Sequence, residues 1–409
     1  MTAMTWRRTA IPCLAVALLL TACSDEDPGK DAGQEVQIVA GGGNTPNATK
    51  ALDLALTGRP SDLDIGADGT IRLLVTENNR VSIWVIKPDG SAHRILVTRG
   101  ITSAAELAVA KDGTLYISHS DGSAGMVSRI ETSGDAVRVV GDGKAGATAD
   151  GSAALGPAST ITGITVDAQG NLVYGELRHF TAQHQEIALL RRVSAGRVET
   201  LAGTPEPFPS PQKFSDAMLA SVAPPEGTKS LEWPLPGILQ LRSLATGEDG
   251  TIYAAAEGGV LAFSADGTVR SVARRRDPST APLGERPFAR EGDAADAFPQ
   301  FITDTGVTVD RGYVAMPVEL QPAENRTHIP AGFRWKGQYT PGQTAIIDSS
   351  VTMFDGQPVQ KVVRLAQPDG SVTTAGWPVS TAAIGGGGLY LLITAQDGRS
   401  LIGRVSLPT

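Results

Sequence analysis

The stretch ITGITVDAQGNLVYGE (Ile161–Glu176) decides the fold. Apolar residues alternate with small or polar ones up to Val166. A tight turn follows at Ala168-Gln169-Gly170-Asn171, and a second apolar run ends on an acid. Gly in such a turn supplies positive φ at no steric cost, so the stretch predicts a β-hairpin. The same phrase recurs from Leu63 (LDIGADGTIRLLVTE), Leu107 (LAVAKDGTLYISH), Leu244 (LATGEDGTIYAAAE) and Gly306 (GVTVDRGYVAMPVE).

Each phrase is followed by a third strand, another tight turn and a fourth strand. These second turns are KPDGS (Lys87–Ser91), ETSGD (Glu131–Asp135), SAGR (Ser194–Arg197), SADGT (Ser264–Thr268) and QPDGS (Gln367–Ser371). A repeat of four short strands joined by Gly turns predicts an all-β chain of propeller blades, four-stranded and antiparallel. First-hairpin turns centred on Gly69, Gly113, Gly170, Gly250, Gly312 and a diffuse one at Gly385–Gly388 predict six blades. The last unit, from Ser380 to Leu407, supplies only three strands. EVQIVAGGG (Glu35–Gly43) reads as a fourth strand without the first three. The N-terminal strand is therefore expected to close the last blade, leaving no dangling sheet edge. The Pro-rich stretch 204–240 reads as a linker with a short helix around Asp216–Val222.

GITVDAQGNLVYGE together with ALLRRVSAGRVETLAG (Ala188–Gly203) resembles an NHL repeat, and VRVVGDGKAGATADGSAALGPASTITGI (Val137–Ile164) resembles the glycine-rich passage between blades of bacterial NHL proteins. The likeness is most specific in the third unit and weakest in the fifth and sixth. It implies a six-bladed ring over residues 35–409.

The N-terminus carries a different signal. Arg7 and Arg8 precede an apolar run, Ile11–Leu20, too short for a permanent bilayer span. This is a secretory signal peptide over residues 1–22. LTAC (Leu20–Cys23) resembles the lipobox of bacterial lipoproteins. The resemblance implies cleavage before Cys23, diacylglycerol on its sulfur and an acyl chain such as palmitate on its amine. Two or more acyl chains hold a protein stably on a membrane. Ordinary signal-peptidase cleavage is the other reading. Residues 23–34 read as a lipidated, flexible tether, and the expected address is the extracytoplasmic face of the cell membrane.

The chain has two cysteines: Cys13 inside the signal, and Cys23. The folded part therefore has no disulfide and no thiolate metal site. With 35 Lys and Arg against 43 Asp and Glu and no basic tract, nucleic acid is not expected as a partner.

The long segments are the inter-blade linkers 41–61, 141–161, 203–240 and 275–304 and the insertions 177–186 and 320–350. In a propeller these open on one face, the expected site for an unidentified protein or small ligand; the other reading is that the long linkers cover the blade ends. Second strands end near Glu77, His119, Glu176, Glu257 and Glu319, at the rim of that face. Two readings stand for these acids. They pair with nearby arginines such as Arg80, Arg178 or Arg242, or they gather around Ca²⁺, a hard cation needing several oxygens. His179 and His184 lie five apart in a loop, outside helical ligand spacing, so no metal or other cofactor is expected from them. Insertion 320–350 brings Phe333, Trp335 and Tyr339 close together among basic residues. They serve as an interface or tuck back onto the fifth blade. No Ser-centred nucleophile elbow occurs, and no catalytic residue is expected. The leading expectation is a membrane-anchored binding scaffold. The alternative is a divalent-cation-dependent hydrolase or lyase, lactonase-like or amide-lyase-like, an activity found among six-bladed relatives.

Overall fold

The computed structural model describes residues 37–98, 100–122, 124–210, 213, 224–237, 240–256, 259–274, 292–293, 301–302, 307–311, 313–319, 345–347, 352–354, 357–358, 361–366, 371–375, 381–394 and 400–407. Side chains are described through residue 272, and at 307–311, 314–315, 381–392 and 400–407. The expected signal and tether, the helix expected near Asp216–Val222 and most of segments 275–304 and 320–350 lie outside the described residues.

Short antiparallel strands make up more than half of the described chain and nearly all of its regular secondary structure. β1 (Gln37–Gly41) comes first. Blade 1 is β2 (Arg59–Ile65), β3 (Ile71–Glu77), β4 (Arg80–Ile86) and β5 (Ala92–Leu96). Blade 2 is β6 (Leu107–Val109), β7 (Leu115–Asp121), β8 (Ala124–Ile130) and β9 (Ala136–Val140). Blade 3 is β10 (Thr160–Val166), β11 (Leu172–Phe180), β12 (Gln185–Ser194) and β13 (Arg197–Ala202). Blade 4 is β14 (Ser243–Thr246), β15 (Ile252–Ala256), β16 (Gly259–Phe263) and β17 (Val269–Arg274). A larger sheet follows. Its strands are β18 (Gly292–Asp293), β19 (Phe301–Ile302), β20 (Thr308–Asp310), β21 (Tyr313–Glu319), β25 (Lys361–Ala366) and β26 (Ser371–Ala375). Between β21 and β25, a small sheet joins β22 (Ala345–Ile347), β23 (Thr352–Phe354) and β24 (Gln357–Pro358). The last blade is β27 (Thr381–Gly385), β28 (Gly388–Thr394) and β29 (Ser400–Ser406), with β1 as its fourth strand.

The architecture is an all-β propeller of four-stranded antiparallel blades. Among the described residues five sheets have the four-stranded form, not the six expected. The unit between blade 4 and the last blade departs from it because β18 and β19 add to its two sides. The first strands neighbour one another in a cycle, β2, β6, β10, β14, β20, β27 and back to β2. The expected closure by the N-terminus is present: Gln37 pairs with Arg404, Ile38 with Gly403 and Gly41 with Leu401.

Local chemistry explains the hairpins. Gly69, Gly113, Gly170 and Gly250 have φ of 76°, 87°, 85° and 81°. L side chains seldom tolerate that region, so glycine sets the turn. An Asp before each of three of these turns accepts the N–H two residues on: Asp68 from Thr70, Asp112 from Thr114 and Asp249 from Thr251, each at 2.9 Å. Asp167 does the same for Gln169 and also receives Asn171. In the fifth unit Arg311 takes the left-handed conformation, at φ 48°, next to the expected Gly312.

The hydrophobic cores lie between blades. Leu74, Val81 and Ile83 of blade 1 pack on Leu107, Leu115 and Ile117 of blade 2. Val173, Leu190 and Ala202 of blade 3 pack on Leu244, Ala254 and Leu261 of blade 4. Blades splay outward, so a wedge opens between their outer strands, and the long linkers fill it. Linker 42–58 descends to the β4–β5 turn, where the Ala51 N–H donates to the Gly90 carbonyl at 2.8 Å. It then climbs back, and its Leu56 carbonyl receives the Ser400 N–H from the preceding blade at 2.8 Å. Linker 141–159 bonds Val198 and Gly196 of blade 3, then Gly125 of blade 2. Linker 203–240 bonds Gly267 of blade 4, then Ala188 of blade 3. Ala51, Leu54, Ala154 and Leu235 on these linkers are buried in the inter-blade cores. Linkers expected to crowd one face thus also run down the outer edge of the ring, where they cover strands that would otherwise stay unpaired.

Candidate functional site

The inner strands carry a belt of cross-blade bonds. A first strand is an edge, so its free N–H groups need acceptors. The Asp62 carboxyl receives the Leu107 N–H at 2.7 Å, joining blades 1 and 2. The Glu106 carboxyl receives the Ile164 N–H at 2.9 Å, joining blades 2 and 3. Thr165 and Thr246 meet hydroxyl to hydroxyl at 3.1 Å between blades 3 and 4. The Ser243 hydroxyl receives the Val307 N–H at 3.0 Å, and the Thr308 hydroxyl receives that of Ile384 at 2.9 Å. Asp62, Glu106 and Ser243 stand at one repeat position, just before the apolar Leu63, Leu107 and Leu244. Blade 3 has Gly163 there, and the neighbouring backbone closes in: a Cβ at Gly163 would lie 2.7 Å from the Leu241 carbonyl oxygen.

Sequence reasoning missed these acids. Their signal is a polar residue recurring at a fixed offset from the turn glycine. Burial pushes Asp62 up to about 7 and Asp64 up to about 6; Arg72 opposes the shift at Asp64. Both are half-buried side chains on β2, the first strand of blade 1. Glu106 is buried outright and held well above the usual carboxylate range by desolvation and then by the Asp62 charge.

Among the described residues, the side chains expected at the rim, Glu77, His119, Glu176 and His179, are engaged within their own blades and adjoining linkers. Glu77 ends β3, accepts the Thr57 hydroxyl at 2.9 Å and pairs with Arg94 at 3.3 Å. Arg94 lies over the Trp84 ring, 5.6 Å from its centre. His119 shares a hydrogen bond of 2.8 Å with the Ser128 hydroxyl. Burial, and then Arg138, lower its pKa to about 4, so it is neutral at pH 7. Glu176 is buried between Arg178 and Arg191, each at 3.3 Å. Both guanidiniums also donate to the Thr148 carbonyl, at 2.9 and 2.8 Å, and Arg191 meets Asp150 at 3.1 Å. This cluster fastens linker 141–159 to blade 3. It also raises the Tyr174 pKa, through burial first and then the Glu176 charge. His179 is exposed and pairs with Glu186 at 2.8 Å across the β11–β12 hairpin. Among the described residues Arg178, one of the arginines expected as partners, pairs with Glu176; Arg94 and Arg191 are further partners that cross-strand distance hid.

Glu319 lies in β21, with only its backbone described. Glu257, Phe333, Trp335, Tyr339 and Cys23 lie outside the described residues. Among the described residues no three His, Cys, Asp or Glu side chains form a group able to hold a metal ion. No helix among them is long and apolar enough to cross a membrane.

No family model matches the chain, and no curated protein matches it in sequence. Solved structures resemble it in outline. A protein of unknown function from Bacteroides thetaiotaomicron is 12% identical over 91% of this chain and 76% of its own, with a TM-score of 0.49. A gluconolactonase from Xanthomonas campestris is 14% identical over 91% of this chain and 98% of its own, at 0.42. Virginiamycin B lyase from Staphylococcus aureus is 12% identical over 87% of this chain and 98% of its own, at 0.40. The propeller assignment rests on the chain's own blades and their cyclic order.

Proposed function

We infer that this chain is a lipid-anchored, extracytoplasmic, six-bladed NHL-like propeller that serves as a binding scaffold for a protein or small ligand. In this reading the larger sheet around β20, β21, β25 and β26 is the fifth of six blades. The observation that carries the reading is the pairing of β1 with β29. As the fourth strand of the last blade, β1 starts at the face of minimal turns and ends at the face of the linkers. A tether from Cys23 to Gln37 would leave from the minimal-turn face and turn the opposite rim away from the membrane. The pairing of Glu77 with Arg94, and of Glu176 with Arg178 and Arg191, favours the scaffold over a cation-dependent hydrolase. These acids already have cationic partners.

The test has two arms. Cys23→Ala should move the protein from the membrane fraction to the soluble one while it stays folded; retention in the membrane would overturn the anchor. The soluble form, presented on beads by its N-terminus, should retain one saturable partner from an envelope extract. It should not turn over lactones or peptidyl amides with Ca²⁺ or Zn²⁺. Turnover abolished by a chelator would replace the scaffold with the hydrolase.

A further inference from the structure

The belt uses two kinds of acceptor. Between blades 1, 2 and 3 it uses carboxyls, Asp62 and Glu106; beyond blade 4 it uses the hydroxyls of Ser243 and Thr308, and the Asp310 carboxyl, which has Arg311 3.6 Å away, receives the Gly387 N–H at 3.1 Å. A hydroxyl does not titrate in the physiological range. A carboxyl does, and these two are set where ionisation is unfavourable. Asp62 faces Asp64 on its own strand and Glu106 from the segment entering β6. Arg72, on β3, is the cation beside this group, and it acts on Asp64. What Asp62 receives instead is two backbone N–H groups, from Leu63 at 2.8 Å and Leu107 at 2.7 Å. Glu106 receives one, from Ile164. A protonated carboxyl still offers its carbonyl oxygen to such donors, so each seam bond survives protonation and the repulsion does not.

We propose that the seams joining the first three blades form a pH-responsive latch, closed by the protonated carboxyls of Asp62 and Glu106 and loosened as they ionise. The sign follows from linkage. A carboxyl whose pKa is higher in the closed ring than in the open one favours closure at low pH. For Asp62 that stabilisation is full below about 4, lost as pH rises to about 7, and flat above it. His119 acts in the opposite sense, since its pKa is lowered from 6.5 to about 4. The melting temperature of the whole protein therefore mixes both, and a local readout is needed.

Hydrogen–deuterium exchange of the full folded chain, corrected for intrinsic rates, supplies one. Protection of the Leu107 amide should fall by up to about tenfold per pH unit between 5 and 7, then level off, and that of the Ile164 amide should fall as pH rises. The Val307 amide, bonded to a hydroxyl, should not follow. Asp62→Asn should flatten the response at Leu107 and hold its protection near the mildly acidic level. The latch is overturned if Leu107 protection in the wild type is flat or rises with pH, or if Val307 responds equally. It is also overturned if Asp62→Asn keeps the full wild-type slope. Should Asp62→Asn fail to fold, the wild-type comparison of Leu107 with Val307 decides alone.

Discussion

The Glu176 carboxylate lies 3.3 Å from the Arg191 guanidinium, and Arg191 is fully buried. A buried pair of this kind is costly to break from one side, because the remaining charge keeps its desolvation penalty. Glu176→Gln leaves Arg178 and Arg191 with the Thr148 carbonyl and the partly exposed Asp150. Stability should fall by about 3 kcal/mol or more, read from the urea midpoint at constant m-value. Millimolar Ca²⁺ should leave the melting curve of the wild type unchanged. A calcium-dependent rise that vanishes in Glu176→Gln would show that the carboxylate binds a cation instead.

Ring closure is tested by truncation. Removing residues 24–34 spares β1 and should not alter the melting temperature. Removing 24–41 deletes the strand that pairs with β29, bares a sheet edge and should lower the melting temperature sharply. Equal melting temperatures for the two truncations would contradict the closure.

His119 should behave as a neutral side chain. Its folded pKa of about 4 lies below the ordinary 6.5, so the fold favours the uncharged ring. The associated stability is complete above pH 6.5 and is lost as pH falls toward 4. An NMR titration should find the His119 ring uncharged at pH 5.5, and His119→Gln should reduce the acid sensitivity of the fold. A midpoint near 6.5 would mean that the ring is solvated.

Two glycines in blade 3 are required by close approach. A Cβ on Gly163 or Gly175 would lie 2.7 or 2.8 Å from the Leu241 carbonyl oxygen. Since backbone cannot yield like a flexible side chain, Gly163→Ala and Gly175→Ala should each cost about 1–3 kcal/mol. Gly196→Ala meets open space and should show only the smaller penalty of its positive φ, 74°. Comparing chemical-denaturation midpoints separates the two effects.

What could be read from the sequence is what is local. The Asp-x-Thr and Gly signals act within a few residues, so the hairpins around Gly69, Gly113, Gly170 and Gly250 were legible. The closing role of residues 37–41 was legible too, because a strand missing at one end matches one in excess at the other. The belt was not: Asp62 and Leu107 are 45 residues apart, and Glu106 and Ile164 are 58. Nothing near either acid announces its partner. The path of the long linkers was hidden for a related reason. Their length is visible, but the wedge that Ala51, Ala154 and Leu235 fill exists only once blades stand side by side.

The β1–β29 ladder has a mechanical side. The N-terminal segment enters the ring through β1, so a pull on that segment is carried first by this one ladder and by the burial of Ala40 beside Ile402. Drawn along its own axis, β1 loads its backbone bonds together and not one after another. The joint that completes the circle is thus also the point where traction on the chain's beginning meets resistance. Slippage there would open the circle at one place while blades 1 to 4 keep all of their own strands.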